Sequence, residues 1–234
     1  MTVAVVPKHI AIIMDGNRRW AAQRGLTAEM GHWRGADAIT PIVRAAQKTG
    51  VKVLTLYSFS TENWVRSKDE VDALMRVIVA MLQKKRSELL DSGVRLLMIG
   101  DIARFPEEVR EEIAESIEVT KGGKNLDLVL ALNYGGRDEL CRAAVKLADA
   151  IAEKRVDRSA ISERDFAQFL DTAEIRDPDL LIRTSGEYRI SNFLLWQISY
   201  AELIVTDVLW PDFSEQDLDD AIEKYQKRTR RHGE

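Results

Sequence analysis

Residues 12–20 read IIMDGNRRW, an apolar run that stops at once in Asp15-Gly16-Asn17-Arg18-Arg19-Trp20. The bland account is a buried strand, a turn and a helix start. The sharper account is a site for a metal ion and a phosphorylated ligand. Mg²⁺ takes one or two carboxylates together with phosphate oxygens, and arginine forks match phosphate geometry. The rest of the chain decides between them.

Extended backwards, the run becomes HIAIIMD (9–15). Five more are like it: VKVLTLYSF (51–59), VRLLMIGD (94–101), LDLVLALNYG (126–135), LLIRTSG (180–186) and AELIVTDVL (201–209). Several lack polar alternation, as strands covered on both faces do. Helical patterns fill the gaps near 35–49, 69–91, 106–119, 137–154, 162–171, 191–199 and 214–230. This alternation predicts βαβ units with right-handed crossovers. The expected architecture is a single α/β domain over 1–234, with a central, mostly parallel six-stranded sheet flanked by helices. The polar stretch EKRVDRSAISERD (153–165) reads as a surface loop before a short helix.

The helix at 69–91 is unusual. Val71, Leu74, Met75, Ile78 and Leu82 share one face, while Val77, Val79, Ala80 and Met81 fill the other. A helix apolar nearly all round is buried on more than one side. It is either a central core helix or one whose second face lines an apolar ligand tunnel.

A chain of 234 residues with 45% hydrophobic and 31% charged residues is an ordinary globular balance. The net charge of −4 argues against a general nucleic-acid binder. Charge is local, however: residues 16–34 carry Arg18, Arg19, Arg24 and Arg34 against Glu29 alone. Cys141 is the only cysteine, so no internal disulfide and no cysteine-based zinc site can form, which fits a reducing cytoplasm. The opening MTVAVVPKH lacks the layout of a signal peptide, and no run approaches the ~20 apolar residues of a membrane span.

Familiar site patterns are absent. There is no Walker A sequence, no G-x-G-x-x-G and no H-E-x-x-H. KGGKN (121–125) precedes a strand, the wrong order for a phosphate loop. RTSGE is not a nucleophile elbow, and DDAIE (219–223) lacks the third aspartate of D-D-x-x-D.

In an open α/β sheet, ligands bind beyond the carboxyl ends of the strands. Those ends share one chemistry here. After the first strand come Asp15, Gly16, Asn17, Arg18 and Arg19. After the second come Ser58 to Trp64 and then Arg66. After the fourth comes NYGGR, and after the fifth Arg183-Thr184-Ser185-Gly186-Glu187, then Arg189, Ser191 and Asn192. Arginines, hydroxyls and a few carboxylates without a histidine pair suit holding diphosphate and metal rather than supplying a strong nucleophile.

The stretches HIAIIMDGNRRWA, LTLYSFSTENWVR, NYGGR, LLIRTSGEYRISNFLLWQ and YAELIVTDVLWPDF strongly resemble the cis-prenyltransferases, the undecaprenyl diphosphate synthase family. The resemblance runs in order from His9 to about Phe213. It implies a parallel sheet whose flanking helices enclose a hydrophobic tunnel, a homodimer, and Mg²⁺-dependent condensation of isopentenyl diphosphate onto an allylic diphosphate, commonly farnesyl diphosphate. The implied product is a Z-polyprenyl diphosphate, undecaprenyl diphosphate for a cell-wall lipid carrier. It is delivered to a membrane by a cytoplasmic enzyme with no transmembrane segment, which would meet that membrane peripherally.

Residue by residue, the resemblance makes Asp15 the catalytic, Mg²⁺-binding aspartate and Asn63 the position commonly assigned as proton acceptor. An amide is a poor base, so Asn63 is expected to orient groups while diphosphate or water takes the proton. Gly16, Asn17, Arg18, Arg19 and Trp20 wrap the allylic diphosphate, with His32 near it. Ser60, Thr61, Glu62, Trp64 and Arg66 fall in the substrate-contacting stretch. Arg183, Arg189, Ile190 and Ser191 match the isopentenyl diphosphate site, Glu202 the second Mg²⁺-associated carboxylate, and Arg231-His232-Gly233 a C-terminal R-x-G. Product length is expected to follow side chains such as Ser58, Leu82, Leu126 and Ala80.

Two departures stand out. Arg18 replaces the glycine of the common D-G-N-G-R-W, and Ala28 stands where many members carry an arginine. Arg18 or Arg24 is expected to supply the missing charge. The rival enzyme class, a phosphohydrolase of the haloacid-dehalogenase type, wants D-x-D and finds Asn17 in the second acidic place. Other readings are a short-chain synthase, a non-catalytic partner subunit of the same fold, and an α/β domain with structural arginines.

Overall fold

The structure is a computed structural model that describes residues 5–228. Strand β1 (His9–Ile13) leads into helices α1 (Asn17–Gln23), α2 (Ala28–Asp37) and α3 (Ile39–Thr49). Next come β2 (Val53–Ser60), the long helix α4 (Lys68–Asp91), β3 (Val94–Ile99), α5 (Glu107–Thr120), β4 (Leu126–Tyr134) and α6 (Gly136–Ala152). The short α7 (Glu163–Ala167), β5 (Leu180–Arg183), β6 (Glu202–Val205) and α8 (Glu215–Gln226) complete the described chain.

All six strands are parallel, in the order β3-β4-β2-β1-β5-β6. Strand β1 has β2 on one side and β5 on the other. The winding reverses there, so a crevice opens at the carboxyl ends of β1 and β5.

Side chains alternate across the sheet. Ile10, Ile12, Leu54, Leu56, Leu128 and Leu132 enter the larger core, with residues of α3, α4, α5 and α8. Ala11, Ile13, Val53, Val129 and Ala131 face the other way, onto Phe193 and Leu194. Both faces are covered, which is why the strands read as near-continuous apolar runs. A register shift in β2 between Tyr57 and Ser60 turns Phe59 into the larger core as well.

Three expectations are corrected. The pattern at 35–49 is two helices meeting at Ala38, and α1 and most of α2 had no clear apolar period. Helix α2 carries Gly31 and Gly35, poor helix formers. They allow close approach: a Cβ on Gly31 would lie 2.2 Å from the Asn17 carbonyl oxygen. The segment 191–199 is not a helix but a series of turns. Ser191, Asn192 and Leu194 hold φ of 46°, 62° and 46°, a left-handed backbone that cannot propagate a right-handed helix. The pattern at 162–171 is helical only over α7.

His9 fixes the start of β1. It is buried, with Nε2 2.7 Å from Thr55 Oγ1 and Nδ1 2.5 Å from the Arg176 carbonyl. Burial lowers its pKa to about 4, against the opposing pull of the Arg176 carbonyl. The unfolded chain protonates near pH 6.5 and the folded chain only near 4. Between these values the unfolded state binds more protons, so this contribution is full above pH 6.5 and is lost as the pH falls toward 4. His9→Gln should therefore flatten the acid side of the stability profile, measured by urea unfolding from pH 7 to 4. A profile parallel to wild type would remove His9 from the account.

Candidate active site

Asp15 follows β1 and Arg183 ends β5, so the crevice between those strands brings them together. Arg183 Nη2 donates to Asp15 Oδ2 at 2.7 Å. Its guanidinium is 3% exposed, while the carboxylate is 34% exposed and faces the crevice. Arg183 Nη1 also donates to Ser191 Oγ at 2.7 Å and to the Arg189 carbonyl. A guanidinium that deep needs partners for its charge and its donors. Thr184 holds the loop: its hydroxyl accepts from the Asp15 amide at 2.9 Å and donates to the Asp15 carbonyl at 2.7 Å. Gly16 makes the turn at φ 110°, where a Cβ would sit 2.9 Å from the Leu209 side chain.

Two more carboxylates tether the other arginines. Glu187 takes Arg19 at 3.0 Å and Arg189 at 2.6 Å, and Arg19 also donates to the Ser185 carbonyl at 2.9 Å. Glu70 takes Arg66 at 2.8 Å, His32 at 3.4 Å and Arg18 at 3.8 Å. Five arginines are thus held by Asp15, Glu187 and Glu70, which leaves positive charge in excess. Burial lowers the His32 pKa, and the Glu70 hydrogen bond offsets this in part, so the ring stands neutral at pH 7. Arg18 is 64% exposed and only loosely held. Arg24 is committed to Asp212 at 3.0 Å and to the face of Trp20, and the Trp20 indole also donates to Asp212, at 2.7 Å.

Ser60, Thr61, Glu62, Asn63, Trp64 and Arg66 form a 3₁₀ turn and its flanks at the end of β2. Asn63 Oδ1 accepts from the Ser60 amide at 3.1 Å, so its oxygen is occupied in shaping the turn. Glu62 accepts from Asn192 at 2.8 Å, and Trp64 donates to Asn133 at 2.8 Å. These bonds tie the β2 turn to the ends of β4 and to the 191–192 turn. Ile190 is half-buried in that same segment and packs on the smaller core.

Glu202 is not brought to this site. It opens β6 beside Leu180, the first residue of β5, at the opposite end of the sheet from Arg183. There it pairs with Arg228. Arg231-His232-Gly233 lies outside the described residues. Sequence reading missed Glu70, whose Ser67-x-x-Glu70 spacing signals a helix start and, with Arg66, an i,i+4 pair. It also missed the tethering roles of Thr184 and Glu187.

Behind the charged mouth lies an apolar cavity of about 150 Å³. Met14 and Asn17, on either side of Asp15, line it together with His32 and Trp210. It continues between α3, α4 and the sheet past Ile39, Val43, Leu74, Ile78, Leu128 and Leu130. Ser58 and Leu82 line it as expected, but Leu126 and Ala80 do not. Leu126, the first residue of β4, is buried in the larger core instead. The second face of α4 packs on α5, so the helix is both core element and tunnel wall.

A family model described as a putative undecaprenyl diphosphate synthase matches residues 13–233. The chain belongs to the undecaprenyl diphosphate synthase family. It is 49% identical to an isoprenyl transferase of Clostridium perfringens over 97% of this chain and 90% of that one. It is 46% identical to one of Agrobacterium fabrum over 99% and 94%. Among solved structures it is similar to lavandulyl diphosphate synthase of Lavandula x intermedia in complex with dimethylallyl diphosphate. That match has 39% identity, a TM-score of 0.95, and coverage of 98% of this chain and 99% of that one. A probable undecaprenyl diphosphate synthase of Campylobacter jejuni matches at 33% identity and a TM-score of 0.81, over 97% and 99%. The protein is therefore a prenyl transferase with the cis-prenyltransferase fold. Among the described residues, no helix is long and apolar enough to cross a membrane.

The Thr184 hydroxyl bonds both backbone groups of Asp15, alongside the Ile13 carbonyl and the Trp210 amide. Thr184→Val should cost about 1–3 kcal/mol of stability and lower prenyl-transfer turnover, because the Asp15 loop loses its anchor. Urea unfolding and steady-state turnover together test this; no change in either would show that the loop is held without Thr184.

Proposed function

We propose that the protein condenses isopentenyl diphosphate onto an allylic diphosphate, farnesyl diphosphate as primer, and repeats the addition to give a Z-polyprenyl diphosphate, undecaprenyl diphosphate. The observation that carries this reading is the juxtaposition of the Asp15–Arg183 mouth with the long apolar cavity. One end suits diphosphates and the other suits hydrocarbon. The family's solved members include one in complex with dimethylallyl diphosphate, which supports an allylic substrate at the mouth.

Mg²⁺ fits the donor set only in a limited way. Among the described residues no three His, Cys, Asp or Glu side chains gather to hold a metal. Asp15 is one half-exposed carboxylate in the mouth, and one carboxylate with substrate phosphates is a habit of Mg²⁺. Asp15 would hold the ion, which when bound supplies positive charge to the departing diphosphate. Glu202 could join only from a second copy. A homodimer is supported by the character of β6, an edge strand whose Leu203 is exposed near the exposed Tyr188 and Tyr200.

The chain's own residues then do the following. Arg19, Arg183 and Arg189 hold diphosphate oxygens, and Arg183 Nε and Ser185 Oγ, both buried without a protein partner, are further donors. Pre-tethered cations need little reorganisation as charge builds on the leaving group. The allylic C–O bond breaks, the double bond of isopentenyl diphosphate attacks the cationic carbon, and a proton leaves to set the new Z double bond. A diphosphate oxygen takes that proton, since the Asn63 oxygen is already hydrogen-bonded. The lengthening chain moves into the cavity, and the product passes to a membrane that the cytoplasmic enzyme meets at its surface.

Pure protein incubated with Mg²⁺, labelled isopentenyl diphosphate and farnesyl diphosphate should give a metal-dependent ladder ending at one long chain. Asp15→Ala should lower turnover ~10²–10³-fold while remaining folded. A single addition by wild type would move the protein to the short-chain synthases, and no incorporation would move it to the partner subunits.

Arg18, 3.8 Å from Glu70 and 64% exposed, is loosely held beside the mouth, whereas Arg24 is closely paired with Asp212. Arg18→Gly should raise the KM for the allylic substrate and leave that for isopentenyl diphosphate near wild type. An unchanged allylic KM would assign the compensation for Ala28 elsewhere.

A further inference from the structure

The far end of the cavity is not wholly apolar. Beside Leu89 and Leu96, its wall between the second halves of α3 and α4 carries Arg44, Gln47, Lys85, Glu88 and Ser92. These side chains are joined across the two helices. Arg44 Nη2 of α3 donates to Glu88 Oε1 at 2.5 Å, and Lys85 Nζ donates to Glu88 Oε2 at 3.1 Å. Gln47 Nε2 donates to the Ser92 carbonyl at 3.0 Å, and the Ser92 hydroxyl closes back on the Glu88 carbonyl at 2.7 Å. Both carboxylate oxygens of Glu88 are therefore engaged, one by each helix.

The position of this bridge matters. From Leu74, near the mouth, to Glu88 the wall follows fourteen residues of α4, or about 21 Å at 1.5 Å per residue. Solvent reaches the bridge from outside: Arg44 is 67% exposed, Glu88 30% and Lys85 24%. A hydrocarbon end growing from the mouth meets mainly apolar side chains, with Thr40 and Ser58 among them, and no charged one until it reaches this point. Beyond it, the chain must break both ion pairs of Glu88 and enter water, and hydrocarbon in water is unfavourable in proportion to the area exposed.

We propose that the Arg44–Glu88–Lys85 bridge is the gate that sets where the prenyl chain stops. On this account product length is determined by an electrostatic latch between α3 and α4 as well as by the bulk of apolar side chains. The inference rests on the polyprenyl reading of the cavity given above. A latch with exposed members is weakened by salt, whereas a steric floor is not.

The test is the product distribution of full-length protein at matched turnover, with farnesyl diphosphate as primer. Glu88→Gln keeps the shape and removes the charge. It should shift the main product longer by at least one C5 unit. Arg44→Gln, which opens the latch from the other helix, should do the same and guards against a folding defect peculiar to one variant. Raising NaCl should lengthen the wild-type product and leave the Glu88→Gln distribution unmoved. A wild-type ladder whose end point is unaffected by both substitutions and by salt would overturn the gate while leaving the polyprenyl reading intact. Absence of any ladder in wild type would overturn both.

Discussion

The contact between Arg183 and Asp15 joins the two halves of the winding. Removing a guanidinium almost wholly from water is costly, and the cost is offset only when its charge and donors are met. Asp15, Ser191 and the Arg189 carbonyl meet them from three different segments. The loop after β1, the end of β5 and the 189–191 turn are thereby fixed to one another. Parallel pairing of β1 with β5 puts the two partners at the same height. The switch point of the sheet and the site are thus one feature: topology makes the crevice, and the ion pair keeps its walls in register.

The same pattern governs the other charges. Glu187 holds Arg19 and Arg189, and Glu70 holds Arg18, Arg66 and His32. Each carboxylate restrains more cationic groups than it neutralises. Positive charge remains for a ligand, yet the side chains carrying it are already oriented. That is the condition under which electrostatic stabilisation of a leaving group is largest, because the protein does not reorganise as the charge appears.

Much of this was legible in the residues. Six apolar runs identified the strands, because strands covered on both faces carry no alternation to confuse the reading, and their last residues named the mouth. What stayed hidden depended on contacts between distant segments. Helices α1 and α2 are held by the approach of Gly31 and Gly35 to Asn17 and Trp210 rather than by an apolar stripe. The 191–199 stretch has a helical pattern, but its backbone is bent by left-handed residues that carry Ser191 to Arg183 and Asn192 to Glu62. Glu202 stood next to a site strand in sequence but lies at the far end of it in space, since β6 runs parallel to β5.

The two faces of the sheet divide the work. On the smaller side Tyr57 stacks on Phe193 with centroids 4.3 Å apart, and Tyr134 meets both edge-on. The Tyr57 hydroxyl donates to the Tyr134 carbonyl at 3.1 Å, binding β2 to β4 where the charged mouth begins. Close packing of large rigid rings leaves that face little freedom. On the larger side, leucine, isoleucine, valine and methionine side chains line the cavity, with the Phe59, Trp64 and Phe105 rings packed edge to face beside them. Aliphatic side chains have more rotamers than stacked rings and give that wall more freedom. The register shift in β2 serves both, because it leaves Tyr57 on the first face and turns Phe59 toward the second within three residues.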